Sequence, residues 1–475
     1  VKENLQRTLG LNTSIAIVVG GIIGSAIFMK PALMAAQLGS PLLLLGVWLM
    51  AGVITLFGAM SNAEVAALLP ETGGQYVFFQ KMYGEFVAFL YAWSAFAVFN
   101  TAGVASIAYV LGTYTEYFIT LPRFSPDMET SIVLQIPFIG SIFPLQNIGV
   151  KMVTVVVVMA LTWLNYRSTR SSGNFQVIFT VLKVGAMVIL VFGLLFSGKG
   201  NPSNFVKAST IIHPEGWAMI TALMAATAGA FWGYDGWNNI TFIAGEIKDP
   251  QRNIPRSLMI GLLCCIASYV LISLAYLYVL PIDQMAHSTM VATDAADRVM
   301  GEWGAGIIAL MVIISTLGTT NGNILATARV SFALAQEQTA LRWIGHVHPR
   351  FQTPGNALWL HGLWTSALVF TGSFDMLTDM LIFVSWIFYG LSAFGIFVLR
   401  KKMATAERPY RVWGYPIVPG IFLLFTLFFL VVTLANDINS YRLGTTPLVN
   451  SAFGLTLTGL GIPLYLLLRK RNTSK

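Results

Sequence analysis

Two short stretches of the chain set glycine, small polar and acidic residues inside apolar runs. Residues 18–28 read VVGGIIGSAIF, with Gly20, Gly21 and Gly24 followed by Ser25 and Ala26. Residues 229–239 read GAFWGYDGWNN, where Gly233 and Gly236 bracket Tyr234 and Asp235. Glycine loosens a helix, and serine offers its backbone competing hydrogen bonds. Each stretch therefore predicts a helix broken at membrane depth, which is tolerated only where the freed backbone lines a cavity. A break exposes N–H groups at the start of its second half, and with the positive end of the helix dipole these attract an anion. The amides of Gly24, Ser25 and Ala26 precede a half-helix near Ile27 and suit a carboxylate. The carbonyls that end the first half and those of the second break face the opposite way and suit an ammonium. Such a pairing of donors and acceptors matches a zwitterionic α-amino acid. Close packing between helices is the competing use of these glycines. Two breaks at equivalent places in two halves are instead the mark of a secondary transporter site.

The elements that must position these residues are membrane helices. Of 475 residues 56% are hydrophobic and only 10% charged, and the mean hydropathy is +0.71, whereas a soluble domain carries about 25% charge. Apolar runs of membrane-spanning length, about 20 residues, recur throughout. The sequence predicts an all-α polytopic membrane protein with twelve spans, at 11–37, 41–68, 84–119, 148–165, 175–197, 216–246, 255–280, 303–336, 356–372, 376–400, 415–435 and 448–468. The breaks fall in spans one and six. No soluble domain fits between spans, and a large soluble helical protein is excluded by the charge content.

Lysine and arginine cluster in alternate loops. Lys2, Arg7, Lys81, Arg167, Arg170, Lys248, Arg252, Arg256, Arg329, Arg342, Arg350, Arg400, Lys401, Lys402, Arg408, Arg411, Arg469, Lys470, Arg471 and Lys475 fall on one side. Lys30, Arg123, Lys151, Lys199, Lys207, Arg298 and Arg442 fall on the other. This asymmetry predicts both termini in the cytoplasm. The net charge of +8 sits in these loops and is not a nucleic-acid signal. Cys264 and Cys265 are neighbours without another partner, so no disulfide is expected. Five scattered histidines carry no metal-ligand spacing, and no cofactor or metal is expected. The first apolar run has no small-residue cleavage pattern, so it reads as a span rather than a signal peptide.

Two charges stand inside the membrane segments. Lys183, in span five, needs a cavity, a partner or backbone carbonyls unless it snorkels to the interface; Gln176 and Phe179 place it well inside the span. Asp235, within the second break, suits three roles: a carboxylate for cationic side chains, a proton carrier, or a cap for the next half-helix. Asn100, Asn321 and Asn323 are candidate pathway residues, with interhelical hydrogen bonding as the alternative. The charged loop Glu246, Lys248, Asp249, Arg252 and Arg256 reads as a solvated linker, or as an inner gate network.

At this level the chain resembles a known family. GGIIGSAIFMKP, from Gly20, and WGYDGWNNITFIAGEIKDPQRNIPRS, from Trp232, together with STLGTTNGNILATAR, HPRFQTP and ERPYRV, are similar to the L-amino-acid transporter family of the amino acid–polyamine–organocation superfamily. Its animal members are light subunits of heteromeric exchangers. The resemblance implies a LeuT-like fold: two inverted repeats of five helices, here 1–200 and 201–402, and peripheral helices in 403–475. It implies sodium-independent amino acid exchange by alternating access. The substrate would lie among Ile22, Ile23, Gly24, Ser25, Ala26, Trp232, Gly233, Asp235 and Gly236. Its carboxylate would meet the Ser25 and Ala26 amides, and its amino group the Ile22 carbonyl and carbonyls near Trp232 and Asp235. Trp232 would be an aromatic gate, with plain core packing as the alternative. Lys183 would stand where sodium-coupled relatives hold a cation and tie helix five to the broken first helix. Glu71-Thr-Gly-Gly resembles a loop that packs between bundle and scaffold.

The chain departs from the family pattern at Ala26, where glycine is usual. The added Cβ narrows the pocket near the substrate α-carbon or restricts the loop's opening. Residues 120–147 contain no cysteine, so no covalent heavy subunit is expected; the resemblance implies a prokaryotic relative working alone in the plasma (inner) membrane, with an amino acid and the bilayer as its partners. Trp232-Gly-Tyr-Asp-Gly-Trp matches family members that accept cationic as well as neutral substrates. A proton-coupled amino acid or amine transporter of the same fold is the alternative. An enzyme is disfavoured by the lack of a metal cluster or nucleophile motif, and a channel by the lack of a filter-like repeat.

Overall fold

Backbone amides inside a bilayer have no water to bond, so each apolar run closes its own hydrogen bonds as a helix. The computed structural model of the chain describes residues 7, 9–71, 73–167, 169–337 and 341–473; of the side chains of 169–181, 333, 336, 337 and 470–473 nothing is described. The expectations on Lys2, Arg170, Gln176, Phe179, Lys470, Arg471 and Lys475 lie outside these limits.

In chain order the helices are α1 (Leu11–Ile22), α2 (Ala26–Leu38), α3 (Pro41–Leu68), α4 (Gln75–Tyr83), α5 (Glu85–Ser94) and α6 (Asn100–Thr115). A π turn, Ala95–Phe99, joins α5 to α6. There follow α7 (Pro126–Glu129), α8 (Ile148–Arg167), α9 (Thr169–Leu195), α10 (Trp217–Tyr234), α11 (Asn239–Phe242), α12 (Pro250–Val279) and α13 (Ile282–Ala286). The chain ends with α14 (Val291–Glu337), α15 (Gly355–Val369), α16 (Phe374–Lys402), α17 (Ile417–Arg442), α18 (Asn450–Gly459) and α19 (Gly461–Thr473). Among the described residues, eight helical stretches are long and apolar enough to cross a membrane: α3, α5–α6, α8, α12, α14, α16, α17 and α18–α19. The pair α1–α2, bent by 46°, makes a ninth. Three further helices stand where spans five, six and nine are predicted: α9, α10 and the 15-residue α15. The chain is a multi-pass membrane protein.

Several boundaries differ from the sequence reading. Span eight begins earlier, because α14 extends back to Val291 around a bend at Gly301 (φ 71). Span six ends as a helix at Tyr234, since Asp235 turns extended (ψ 156). The all-α expectation meets one exception in 120–147. There β1 (Leu134–Ile136) pairs antiparallel with β2 (Gly140–Ile142), and Gly140 bridges to Leu448. The pairing satisfies the backbone of the exposed β1, while Ile142 of β2 is buried in the core. Lys30 and Lys151, read above as loop charges, are each 1% exposed. Lys30 lies inside α2 and donates to Asp375 Oδ1 and Thr378 Oγ1, both at 2.9 Å. Lys151 donates to the carbonyls of Phe143 and Pro144, both at 3.2 Å. Each found acceptors that made its burial tolerable.

The breaks are held at the centre of this assembly. α1 packs on α12, α2 on α10, and α9 on α14. Residues 73–75 close on α11: a Cβ added at Gly74 would lie 2.6 Å from Phe242 and 2.7 Å from Thr241 Oγ1. The N-terminal segment joins the loop after α11 through its backbone. Leu9 N–H donates to Glu246 at 3.0 Å, and Lys248 N–H donates to Leu9 at 2.8 Å. The charged loop 246–256 is thus tied by main chain rather than by ion pairs among the described residues.

Candidate functional site

The two breaks meet back to back. The first runs from Ile23 (φ −67, ψ 104) to Ser25, and α2 starts at Ala26. The second runs from Asp235 through Gly236, whose φ of 94 is left-handed. A Cβ at Gly236 would stand 2.9 Å from the Gly21 carbonyl. Only glycine allows both that φ and that approach. At the start of α2, Phe28 N–H takes the Ser25 carbonyl at 3.1 Å, while helix geometry leaves the amides of Ala26 and Ile27 without an intrahelical acceptor. Ser25 is 1% exposed, and its Oγ has no hydrogen-bond partner among the described residues. A buried hydroxyl beside the first amides of a helix is an arrangement that can hold an anionic group.

The carbonyls of the break are claimed from behind. Lys183 Nζ, 3% exposed, donates to Gly20 and Ile23, each at 2.7 Å. The ammonium thus turns inward, not toward the lipid interface. Tyr269 Oη lies 2.8 Å from the Ile22 carbonyl and 2.9 Å from the Gly233 carbonyl. A hydroxyl has one proton, so Tyr269 serves one carbonyl at a time and leaves acceptor capacity at the other. It also ties the first break to the second.

One cavity gathers most of the candidate residues. Ile22, Gly24, Ser25, Ala26, Trp232, Asp235 and Gly236 line it, with Asn100 from α6 and Asn323 from α14. Ile23 and Gly233 do not line it; their side is taken by Lys183 and Tyr269. Asn321 also stands away from it: fully buried, it accepts from Asn165 Nδ2 at 2.8 Å, which ties α14 to α8. Asp235 Oδ1 accepts a 2.6 Å hydrogen bond from Tyr389 Oη of α16. Trp232 closes the α2 side, meeting Phe374 edge-on at 5.1 Å between centroids. Lys30 Nζ lies 5.8 Å from its ring centre.

Three residues of this site escaped the sequence reading. Tyr269 and Tyr389 are polar-tipped residues in long apolar helices, and a buried phenol needs a partner. Lys30 lies within the run 11–37, and that position was its signal. No linear pattern pairs any of them with the breaks.

The amino acid permease family matches residues 9–457. The serine/threonine exchanger SteT of Bacillus subtilis is 30% identical, over 99% of each chain. The human b(0,+)-type amino acid transporter 1 is 29% identical over 90% of this chain and 82% of the relative. The human cystine/glutamate transporter is 29% identical over 98% and 86%. These relatives are named as transporters or exchangers, not enzymes. From the broken helices around a polar cavity and a match over nearly its whole length, the chain belongs to the amino acid permease family.

Proposed function

We propose that the chain is a sodium-independent exchanger of neutral and cationic L-amino acids that works by alternating access. The observation that carries this reading is the Lys183 ammonium bonded to the carbonyls of Gly20 and Ile23. A fixed cation there holds the break in shape and leaves no role for a bound sodium ion. The free amides of α2 and Ser25 Oγ receive the substrate carboxylate, and the carbonyls near Ile22 and Trp232 receive its ammonium. Trp232 gates the cavity. Ala26 crowds the substrate α-carbon and favours small side chains. The name of the serine/threonine exchanger supports small polar substrates, as do Asn100, Asn323 and Thr327 in the lining. In this reading the chain has twelve spans in two inverted five-helix repeats, 1–200 and 201–402, with peripheral helices in 403–475. Both termini are cytoplasmic, the protein lies in the plasma membrane, and no heavy subunit is covalently bound.

Uptake of labelled amino acids into sodium-free proteoliposomes tests the proposal. Exchange predicts uptake only into vesicles preloaded with unlabelled amino acid. Equal uptake into empty vesicles, rising with an imposed proton gradient, would replace it with a proton-coupled mechanism through Asp235.

Asp235 sets the substrate range in this reading, because its carboxylate lines the cavity where a cationic side chain would lie, held there by Tyr389. Asp235→Asn is expected to lower exchange of arginine and lysine by about tenfold, the scale of one charge-assisted hydrogen bond, and of serine by less than about threefold. A competition series across these amino acids reads the difference. Equal losses for all of them would make Asp235 a structural residue.

A further inference from the structure

The α5–α6 stretch carries a π turn where it passes the cavity, and its register there is unusual. Tyr91, Phe99, Asn100, Gly103 and Ile107 all line the cavity. Relative to Tyr91 they fall at offsets of 8, 9, 12 and 16 residues. A regular α-helix, turning about 100° per residue, returns to one face at offsets of 7, 8, 11 and 15. Without the π turn, Asn100, Gly103 and Ile107 would point about 180°, 120° and 160° away from Tyr91, whereas with one residue absorbed they stand within about 80° of it. The one added residue in Ala95–Phe99 brings both halves of the helix to the same cavity. Asn100 N–H accordingly reaches back to Ala95, five residues earlier.

A widened turn strands carbonyls that a regular helix would bond, which is costly at membrane depth. Side chains answer here. Thr101 Oγ1 donates to the Phe96 carbonyl at 2.7 Å. Trp364 Nε1, from α15, donates to the Ala97 carbonyl at 3.0 Å. Helix α15 is anchored in turn: His361 Nε2 lies 2.7 Å from Ser331 Oγ of α14, and the His361 ring meets Phe96 edge-on at 5.2 Å. Neither Trp364 nor His361 lines the cavity.

We infer that Trp364 is a positioning residue: its indole N–H pins the π turn at Ala97, and that pin keeps Asn100, Gly103 and Ile107 turned toward the substrate cavity. The inference rests on the reading of that cavity as the substrate site. Losing the donor lets the turn relax to α-helical spacing, and everything after it rotates by about one residue's turn, 100°. Asn100, Gly103 and Ile107 then turn away from the cavity, and affinity falls while the helix and its span persist.

The rotation supplies its own control, because deleting one residue from the turn restores the register without any pin. Full-length wild type, Trp364→Phe, an Ala97 deletion and the two combined are reconstituted in proteoliposomes, and exchange of radiolabelled L-serine is followed against concentration. The Trp364 ring also lies 6.2 Å from that of Phe96, centroid to centroid; Trp364→Phe keeps an aromatic ring there and removes the donor. It is expected to raise KM about tenfold with the maximal rate within about threefold, the signature of lost binding rather than lost fold. Adding the Ala97 deletion is expected to bring KM back to within about threefold of wild type. An unchanged KM in Trp364→Phe, or a further rise on adding the deletion, overturns the inference. If Trp364→Phe cannot be purified folded, Thr101→Val removes the turn's other side-chain donor and is judged by the same two outcomes.

A second readout needs no transport. Asn100→Cys in a Cys264→Ser, Cys265→Ser background is expected to react with a water-soluble thiol reagent, to be shielded when Trp364→Phe is added, and to react again with the Ala97 deletion. Labelling that ignores Trp364 overturns the inference. Wild-type vesicles that exchange no amino acid, with the labelling pattern intact, would overturn the transporter reading alone.

Discussion

Lys183→Ala is expected to reduce amino acid exchange by at least about a hundredfold. The ammonium gives charge-assisted hydrogen bonds to the carbonyls of Gly20 and Ile23, each worth about 1.5–3 kcal/mol. Their sum is about 3–6 kcal/mol, and each 1.4 kcal/mol is a factor of ten in a population. Alanine leaves both carbonyls at the end of α1 facing a hole, so the break loses the geometry that aims the α2 amides at the cavity. The measurement is initial exchange rate in preloaded, sodium-free proteoliposomes, normalised to reconstituted protein. Lys183→Met separates charge from volume and is expected to fail as badly. Undiminished exchange in either variant would mean that the break holds itself, and the fixed-cation proposal would be wrong.

Glu64→Ala is expected to give the largest loss of stability. Glu64, near the end of α3, is 3% exposed. It accepts from Arg400 Nε at 3.0 Å, from Arg400 Nη2 at 2.8 Å and from the Val412 amide at 2.7 Å. Arg408 Nε lies 3.5 Å away. One carboxylate thus fastens α3 to the end of α16 and to the segment that carries the ERPYRV motif. Removing it strands the Arg400 guanidinium, while Arg408 keeps the carbonyls of Leu399, Met403 and Ala406, and breaking a buried pair costs about 3–5 kcal/mol. Arg400 is a quarter exposed, which puts the expected loss near the lower figure, about 3 kcal/mol. Thermal unfolding of the purified protein in detergent reads it as a lowered midpoint. Glu64→Gln keeps an acceptor and is expected to fall between alanine and wild type. An alanine variant with an unshifted midpoint would show that Arg400 finds other acceptors.

How far each feature was legible follows from the range of the interaction behind it. The breaks were legible because a helix interruption is a local matter of glycine, serine and missing hydrogen bonds. Their ends were less so: Gly233 sits inside α10 in contact with Trp48, and the turn itself falls at Asp235 and Gly236. Lys183 announced itself as a charge in an apolar run. Asn321 and Asn323, one turn's fraction apart in sequence, separated into an interhelical tie and a cavity wall, because helix rotation rather than residue type decides which face looks inward.

The sequence by itself determined the membrane class, the apolar runs, the two weak points and the family, since each depends on composition or on contiguous residues. Only the tertiary structure decided that Tyr269 joins the two breaks, that Lys30 is buried against Asp375, that Asp235 meets Tyr389, and that a π turn rotates Asn100 into the cavity. Those outcomes depend on which helix faces pack together across separations of up to 345 residues, and an apolar helix in an apolar solvent leaves little mark of its orientation in its own sequence.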